Sequence, residues 1–193
     1  MEERKLSRRA FVRAVRNSAV LLILPKTAPQ ALPVVPRQHS EQPSPSRSRA
    51  NYRLRFFTRR EAETVEAVTA RMIPSDETPG AREARVVDFI DHILVTAYAT
   101  QQLAYREGLR RLNALAQRRF TRQFARLAAR DQDALLVRLE RGTVSGWKGA
   151  TDFFLMVREH TIEGMFADPK YRGNANEVGW HLIGSSLHRR AQT

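Results

Sequence analysis

Val86-Val87-Asp88-Phe89-Ile90-Asp91-His92-Ile93-Leu94-Val95-Thr96-Ala97-Tyr98 is the stretch that decides the fold class of this chain. Val86, Val87, Phe89, Ile90, Ile93, Leu94, Ala97 and Tyr98 recur at helical spacing, which stacks them on one side and sends Asp88, Asp91 and His92 to the other. Upstream, Thr58-Arg59-Arg60-Glu61 has the capping-box form, in which the threonine oxygen and the glutamate side chain each satisfy a backbone N–H, so a helix starts there. Ala62, Val65, Val68, Thr69 and Met72 continue it as one stripe until Pro74 stops it. The run from Ile73 to Gly80, with Pro74, Pro79 and Gly80, reads as a loop. Downstream, Leu103, Leu109, Leu112, Leu115 and Ala116 mark a third helix, where Gly108 costs about 1 kcal/mol unless it admits close packing. Phe120, Phe124 and Leu127 lead to a short fourth helix over Asp131 to Leu139, ended by Gly142. After Gly146-Trp147-Lys148-Gly149, a fifth amphipathic helix carries Phe153, Phe154, Val157, Thr161, Met165 and Phe166. No stretch alternates as a strand would. The expected fold is all-α, a single small domain of about five helices with an irregular C-terminal loop segment from Ala167 to Asn176.

The 193 residues carry a net charge of +13, which in a folded domain would suggest nucleic acid or an acidic surface as partner. Its distribution argues against nucleic acid. Residues 1–55 hold 12 of the 33 Lys/Arg and 3 of the 20 Asp/Glu, a balance of +9, leaving +4 from Phe56 onward. Beyond that point the arginines read as mixed with acids, as in Arg82-Glu83-Ala84-Arg85 and Arg138-Leu139-Glu140-Arg141, the pattern of a solvated helical surface.

Residues 1–31 read as an export signal. A basic opening leads to Ser18-Ala19-Val20-Leu21-Leu22-Ile23-Leu24, an apolar run that rises only about 10 Å as a helix and is too short to span a bilayer. Ser7-Arg8-Arg9-Ala10-Phe11 resembles the twin-arginine (Tat) recognition sequence, with Val12 and Arg13 as conservative departures from its leucine and lysine. Around Thr27 to Pro33 no small-x-small cleavage site is present. Residues 32–55 are a Pro/Ser-rich linker, for which an extended, solvated chain is expected, followed by the helical domain over 56–187 and a tail over 188–193.

Catalytic chemistry finds no foothold. The chain has no cysteine, so thiolate metal sites, iron–sulfur clusters, attached c-type haem and cysteine nucleophiles are excluded. It also lacks a dinucleotide fingerprint, a phosphate loop, a His-Glu-x-x-His motif and a serine elbow. His39, His92, His160, His181 and His188 are scattered and read as surface or helix-cap imidazoles. Asp88, Asp91 and His92 share a helical turn that could bear a metal, but nothing completes a ligand set, and the polar face of an amphipathic helix explains them better. No catalytic, cofactor-binding or metal residue is assigned.

Phe56-Phe57, Met72-Ile73-Pro74-Ser75-Asp76 with Pro79-Gly80-Ala81, Val87-Asp88-Phe89-Ile90-Asp91, Asp168-Pro169-x-Tyr171-x-Gly173-Asn174 and Gly179-Trp180-x-x-Ile183-Gly184 together resemble the gluconate 2-dehydrogenase subunit 3 family, in order over almost all of residues 56 to 184. The resemblance implies a small, or gamma, subunit without catalytic residues. It would bind a large subunit that carries FAD and oxidises a sugar or polyol, with a cytochrome c subunit taking the electrons. The Tat translocase would then export the folded complex to the periplasm or the periplasmic face of the inner membrane. The membrane would be met only through the signal or the partner. Pro74, Asp76, Gly80, Tyr171, Gly173, Asn174 and Trp180 become the candidate partner-binding residues. Two readings of the last motif stand side by side: Asp168, Gly173 and Asn174 satisfy backbone groups while Trp180 plugs the core, or Tyr171, Asn174 and Trp180 face the large subunit. Arg172 departs from a glycine usual in the family, and it would be strained if the turn needs a positive φ. The alternative function is a free-standing exported helical binding domain.

Overall fold

The computed structural model describes residues 52–184; Ser7, Arg8, Arg9 and Phe11, the linker up to residue 51 and the tail from residue 188 lie outside the described residues. Among the described residues there are six α-helices and no strand. They are α1 Arg59–Met72, α2 Val86–Ile93, α3 Gln102–Phe120, α4 Ala129–Glu140, α5 Ala150–Phe166 and α6 Val178–Leu182. The all-α class expected from the sequence is therefore the one observed. Helix α6, five residues long, is too short for periodicity to announce.

Helix α5 packs against each of the other five helices. It buries Ala150, Phe153, Phe154, Val157, His160, Thr161, Gly164 and Met165, which three-and-four spacing gathers on one inward arc, the face on which the other helices meet it. Val65 and Val68 of α1, Ile90 of α2, Leu109 and Leu112 of α3, and Leu135 and Leu139 of α4 fill the rest of the core. Gly108 does admit close packing: a Cβ there would fall 2.1 Å from the ring of Phe153.

Helix α1 begins as its sequence demands, with both halves of the Thr58–Glu61 capping box formed. Helix α2 stops at Ile93, short of the Tyr98 to which its apolar spacing extends. The Thr96 hydroxyl donates to the His92 carbonyl at 2.9 Å and Gln102 Nε2 donates to the Leu94 carbonyl at 2.7 Å, so side chains take up carbonyls at which the helix ends. In α3, Leu103 is 78% exposed, and Tyr105, one helical turn before Leu109, occupies the core position instead.

The largest departure concerns Asp91. Its neighbours in sequence place it on a polar face, yet it is completely buried. One carboxylate oxygen accepts from the Tyr52 hydroxyl at 2.6 Å and the Arg55 N–H at 2.8 Å; the other accepts from the N–H groups of Phe56 at 3.1 Å and Phe57 at 2.8 Å. Burial, and then the bond to Asp91, push the Tyr52 hydroxyl up, so it remains a donor. Residues 52–55, assigned to the linker by composition, are thus part of the fold, and Phe56 and Phe57 are buried beside them with ring centroids 5.0 Å apart. Asp88 is also buried, 8% exposed, and pairs with Arg85.

A carboxylate with four donors is costly to remove, because the buried N–H groups of Phe56 and Phe57 are left without an acceptor. Asp91→Ala should cost about 3 kcal/mol or more in urea denaturation of the full chain, against about 1 kcal/mol for Thr58→Ala at the helix cap. Equal losses would show that the lead-in segment is not held by Asp91.

Candidate functional site

The segment after α5 forms a cap built around Asn174. Asp168 Oδ1 accepts from the Lys170 N–H at 3.0 Å and opens the 3-10 turn Pro169–Tyr171. The chain then reverses through Arg172, whose φ of 80° lies in the left-handed region, so the position does require a conformation natural to glycine. Gly173 is needed for a different reason: a Cβ there would sit 2.3 Å from the Gly164 carbonyl oxygen of α5. The Arg172 guanidinium carbon lies 5.9 Å from the centre of the Tyr52 ring, which brings this turn beside the lead-in segment.

Asn174 is fully buried. Its backbone N–H donates to the Gly164 carbonyl at 2.8 Å, its Nδ2 to the Ala167 carbonyl at 3.0 Å, and its Oδ1 accepts from the Gly179 N–H at 2.8 Å. One side chain therefore ties the end of α5 to the start of α6. The next residue bonds the cap to the turn before α2, Ala175 N–H to Ala84 carbonyl at 3.1 Å. Four non-glycine residues in this short stretch, Arg172, Asn174, Asn176 and Glu177, hold positive φ. Asparagine tolerates that region; arginine and glutamate do so at a cost of order 1 kcal/mol each.

Gly173 and Asn174 thus build the cap, while Tyr171 stands out of it, 46% exposed. Trp180 is half-buried, and its indole N–H donates to the Phe166 carbonyl at 2.8 Å. It anchors α6 to the end of α5 instead of filling the core. Ile183, 55% exposed, follows it. Pro74, Asp76 and Gly80 lie in a separate loop that closes on itself. Asp76 Oδ1 accepts from the Thr78 N–H at 3.0 Å, and Gly80 packs so tightly that a Cβ would fall 2.5 Å from the Ile73 carbonyl oxygen. Glu83 ties the loop by accepting from the Gly80 N–H at 2.7 Å and from Ser75 Oγ; burial opposes its ionisation, but these bonds outweigh it and hold the carboxyl below its usual range.

A buried cluster escaped the sequence reading. His160 is 2% exposed, not a surface or cap imidazole, and its Nδ1 lies 2.8 Å from the hydroxyl of fully buried Tyr105. Its ring stacks on Tyr98 at 4.7 Å and on Tyr105 at 5.7 Å. Burial pushes its pKa down against the charge of Glu159, and pushes the Tyr105 hydroxyl well up. The only sequence sign was the placement of His160 between Val157 and Thr161 on the inward arc of α5. The cluster fits a neutral structural core. Among the described residues no group of three His, Cys, Asp or Glu side chains is placed to hold a metal ion. A shallow, open depression between α1 and the α3–α4 connector is lined by Glu63, Glu66, Ala67, Arg82, Ala125 and Arg126.

The sequence model of gluconate 2-dehydrogenase subunit 3 matches residues 59–185 of this chain. No curated protein and no solved structure matches it.

Two stability measurements check this geometry. Arg172→Gly should raise stability by about 0.5–1 kcal/mol, the relief of the left-handed arginine less the added freedom of the unfolded chain. Arg172→Ala should give no gain. For His160, the folded-state pKa lies below the ordinary value, so the unfolded chain takes up the proton first as pH falls. Its contribution is complete above pH of about 6.5 and is lost as pH drops toward the depressed folded value. Between pH 7 and 5 the wild-type chain should lose more stability than His160→Gln; parallel profiles would remove the histidine from the explanation.

Proposed function

The chain belongs to the gluconate 2-dehydrogenase subunit 3 family, and from that membership we propose that it is the non-catalytic small subunit of an exported FAD-dependent sugar or polyol dehydrogenase, of the gluconate or glucose type. The observation that carries the proposal is the extent of the match, from the first residue of α1 to beyond α6, which takes in both the 73–80 loop and the Asn174 cap. In this reading FAD and the oxidation belong to the large subunit, and a cytochrome c subunit receives the electrons.

The cap is the candidate docking surface. A partner gains most from aromatic side chains presented on a rigid support, because little conformational freedom is then lost on binding. Tyr171 fits that description, standing on a turn whose neighbours Gly173 and Asn174 are fixed to α5. Ile183 adds apolar surface at the other end of the same segment. The roles of Pro74, Asp76 and Gly80 in this reading are to shape the 73–80 loop as a second contact.

The twin arginines give the small subunit a second task, since the Tat route moves folded proteins and a large subunit already loaded with FAD can travel on its partner's signal. No helix among the described residues is long and apolar enough to cross a membrane. In this reading the periplasmic location follows from the signal at Arg8-Arg9.

Coexpression with a candidate FAD-dependent large subunit tests the proposal. Flavin absorbance should follow an affinity tag on the small subunit, and deletion of Arg8-Arg9 should keep both proteins in the cytoplasm. Tyr171→Ala should reduce the copurified flavin on the order of tenfold or more while leaving the thermal midpoint of the small subunit unchanged; Asn174→Ala should lower that midpoint. A colourless small subunit under these conditions overturns the reading and favours a free-standing binding domain.

A further inference from the structure

The positive charge of the folded domain is gathered in one place. Residues 52–184 contain 21 Lys/Arg and 17 Asp/Glu, a net +4. Five arginines stand where α3 hands over to α4: Arg118 and Arg119 in the last turn of α3, Arg122 just after its left-handed cap Thr121, Arg126 ending the 3-10 turn Phe124–Arg126, and Arg130 in the first turn of α4. No Asp or Glu lies between residues 118 and 130. Without this corner the described domain would carry a net −1. Along this corner the chain offers arginine alone, with acids near it at Arg126, which shares a depression with Glu63 and Glu66 of α1.

Pairing follows the same division. Arg71, Arg82, Arg85, Arg106, Arg110 and Arg111 each make an ion pair, whereas none of the five corner arginines does so among the described residues. All five are exposed. Asp133, the acid next along α4 after Asp131, is held by a bidentate bond from Arg71 at 2.7 Å. Helix stability does not explain the whole cluster. Arg118 and Arg119 suit the C-terminal end of α3, but Arg130 opposes the dipole at the start of α4.

We propose that this corner docks on an anionic membrane surface, its guanidinium groups binding the phosphates of acidic phospholipids. Arginine's planar fork suits phosphate oxygens, and each basic residue near a charged bilayer adds to the attraction. A headgroup plane requires only charge, and charge is what the corner offers. The exposed large apolar side chains are Leu54, Leu103, Leu155, Tyr171 and Ile183, all outside 118–130, so the corner lacks the anchor that a protein partner would use. Its aromatics, half-buried Phe120 and fully buried Phe124, give nucleobases no stacking platform. The proposal stands independently of the accessory-subunit reading, and it adds a direct membrane contact to the two routes, signal and partner, inferred from the sequence.

Flotation of the full chain with vesicles rich in phosphatidylglycerol, and with pure phosphatidylcholine vesicles, tests it. The variant with Arg118→Gln, Arg119→Gln and Arg122→Gln is compared with a control bearing Arg60→Gln, Arg141→Gln and Lys148→Gln, likewise exposed and outside any ion pair among the described residues. Both have the same net charge and the same residues 1–51, so the leader's own affinity cancels. The corner variant should lose at least about tenfold in binding to the acidic vesicles at an ionic strength of about 0.15 M, with the control close to wild type. Equal losses would mean that net charge alone governs binding, and unchanged binding would mean that the corner does not touch lipid; either result overturns the proposal. It is also overturned if the corner variant keeps its vesicle binding but loses copurification with the flavoprotein, which would make the corner a protein interface.

Discussion

A single buried carboxylate organises the beginning of this fold. Asp91 sits in α2, where a carboxylate without hydrogen-bond partners would be too costly to bury. It remains inside because three backbone N–H groups and the Tyr52 hydroxyl converge on it. The same bonds fix the backbone of residues 55–57, which puts Phe56 and Phe57 into the core and delivers Thr58 in the extended conformation its cap requires. The capping box is local chemistry, but the direction from which the chain reaches it is set by a helix further along.

Helix α2 serves the other end of the domain as well. Phe89 and Val86 press against Gly164 of α5, and the Cβ of Phe89 limits Gly173 in the cap. The lead-in segment and the C-terminal cap are therefore neighbours across one short helix, joined further by the Arg172–Tyr52 contact. Around this arrangement the interior is conventional: apolar side chains and a satisfied Tyr105–His160 pair about a central α5. Strain collects in the cap, where left-handed residues succeed one another within a few positions of exposed Tyr171. A segment that tolerates such backbone costs must be held by strong local bonds, and Asn174 supplies three of them.

The helices were legible because their cause is local. The Thr58 capping box, the stop at Pro74 and the three-and-four spacing of Leu109, Leu112 and Ala116 each act within a turn or two of chain. The sequence also identified Arg172 as a place where side chain and backbone disagree, from a pattern in which glycine is usual. It misplaced what depends on distant partners. Asp91 reads as polar surface unless residues 52–57 are known to lie against it, and His160 reads as exposed until Tyr98 and Tyr105 close over it. Leu103 misled in the opposite direction: it stands six residues before Leu109, off the three-and-four spacing that Tyr105 keeps. The arginine corner was hidden by averaging, because a domain total of +4 does not say that its surplus stands at one helix end.

The Asp91 bonds also set an order of events during synthesis. Their acceptor lies 34 to 39 residues downstream of the donors. When Tyr52 to Phe57 leave the ribosome, the side chain that will hold them has not yet emerged. The three aromatic rings of Tyr52, Phe56 and Phe57 must therefore wait until α2 has emerged and closed a loop of that length. Residues 52–57 are synthesised before every helix of the described domain, yet they reach their final position only when a later helix arrives. Their docking thus reports that α2 is in place.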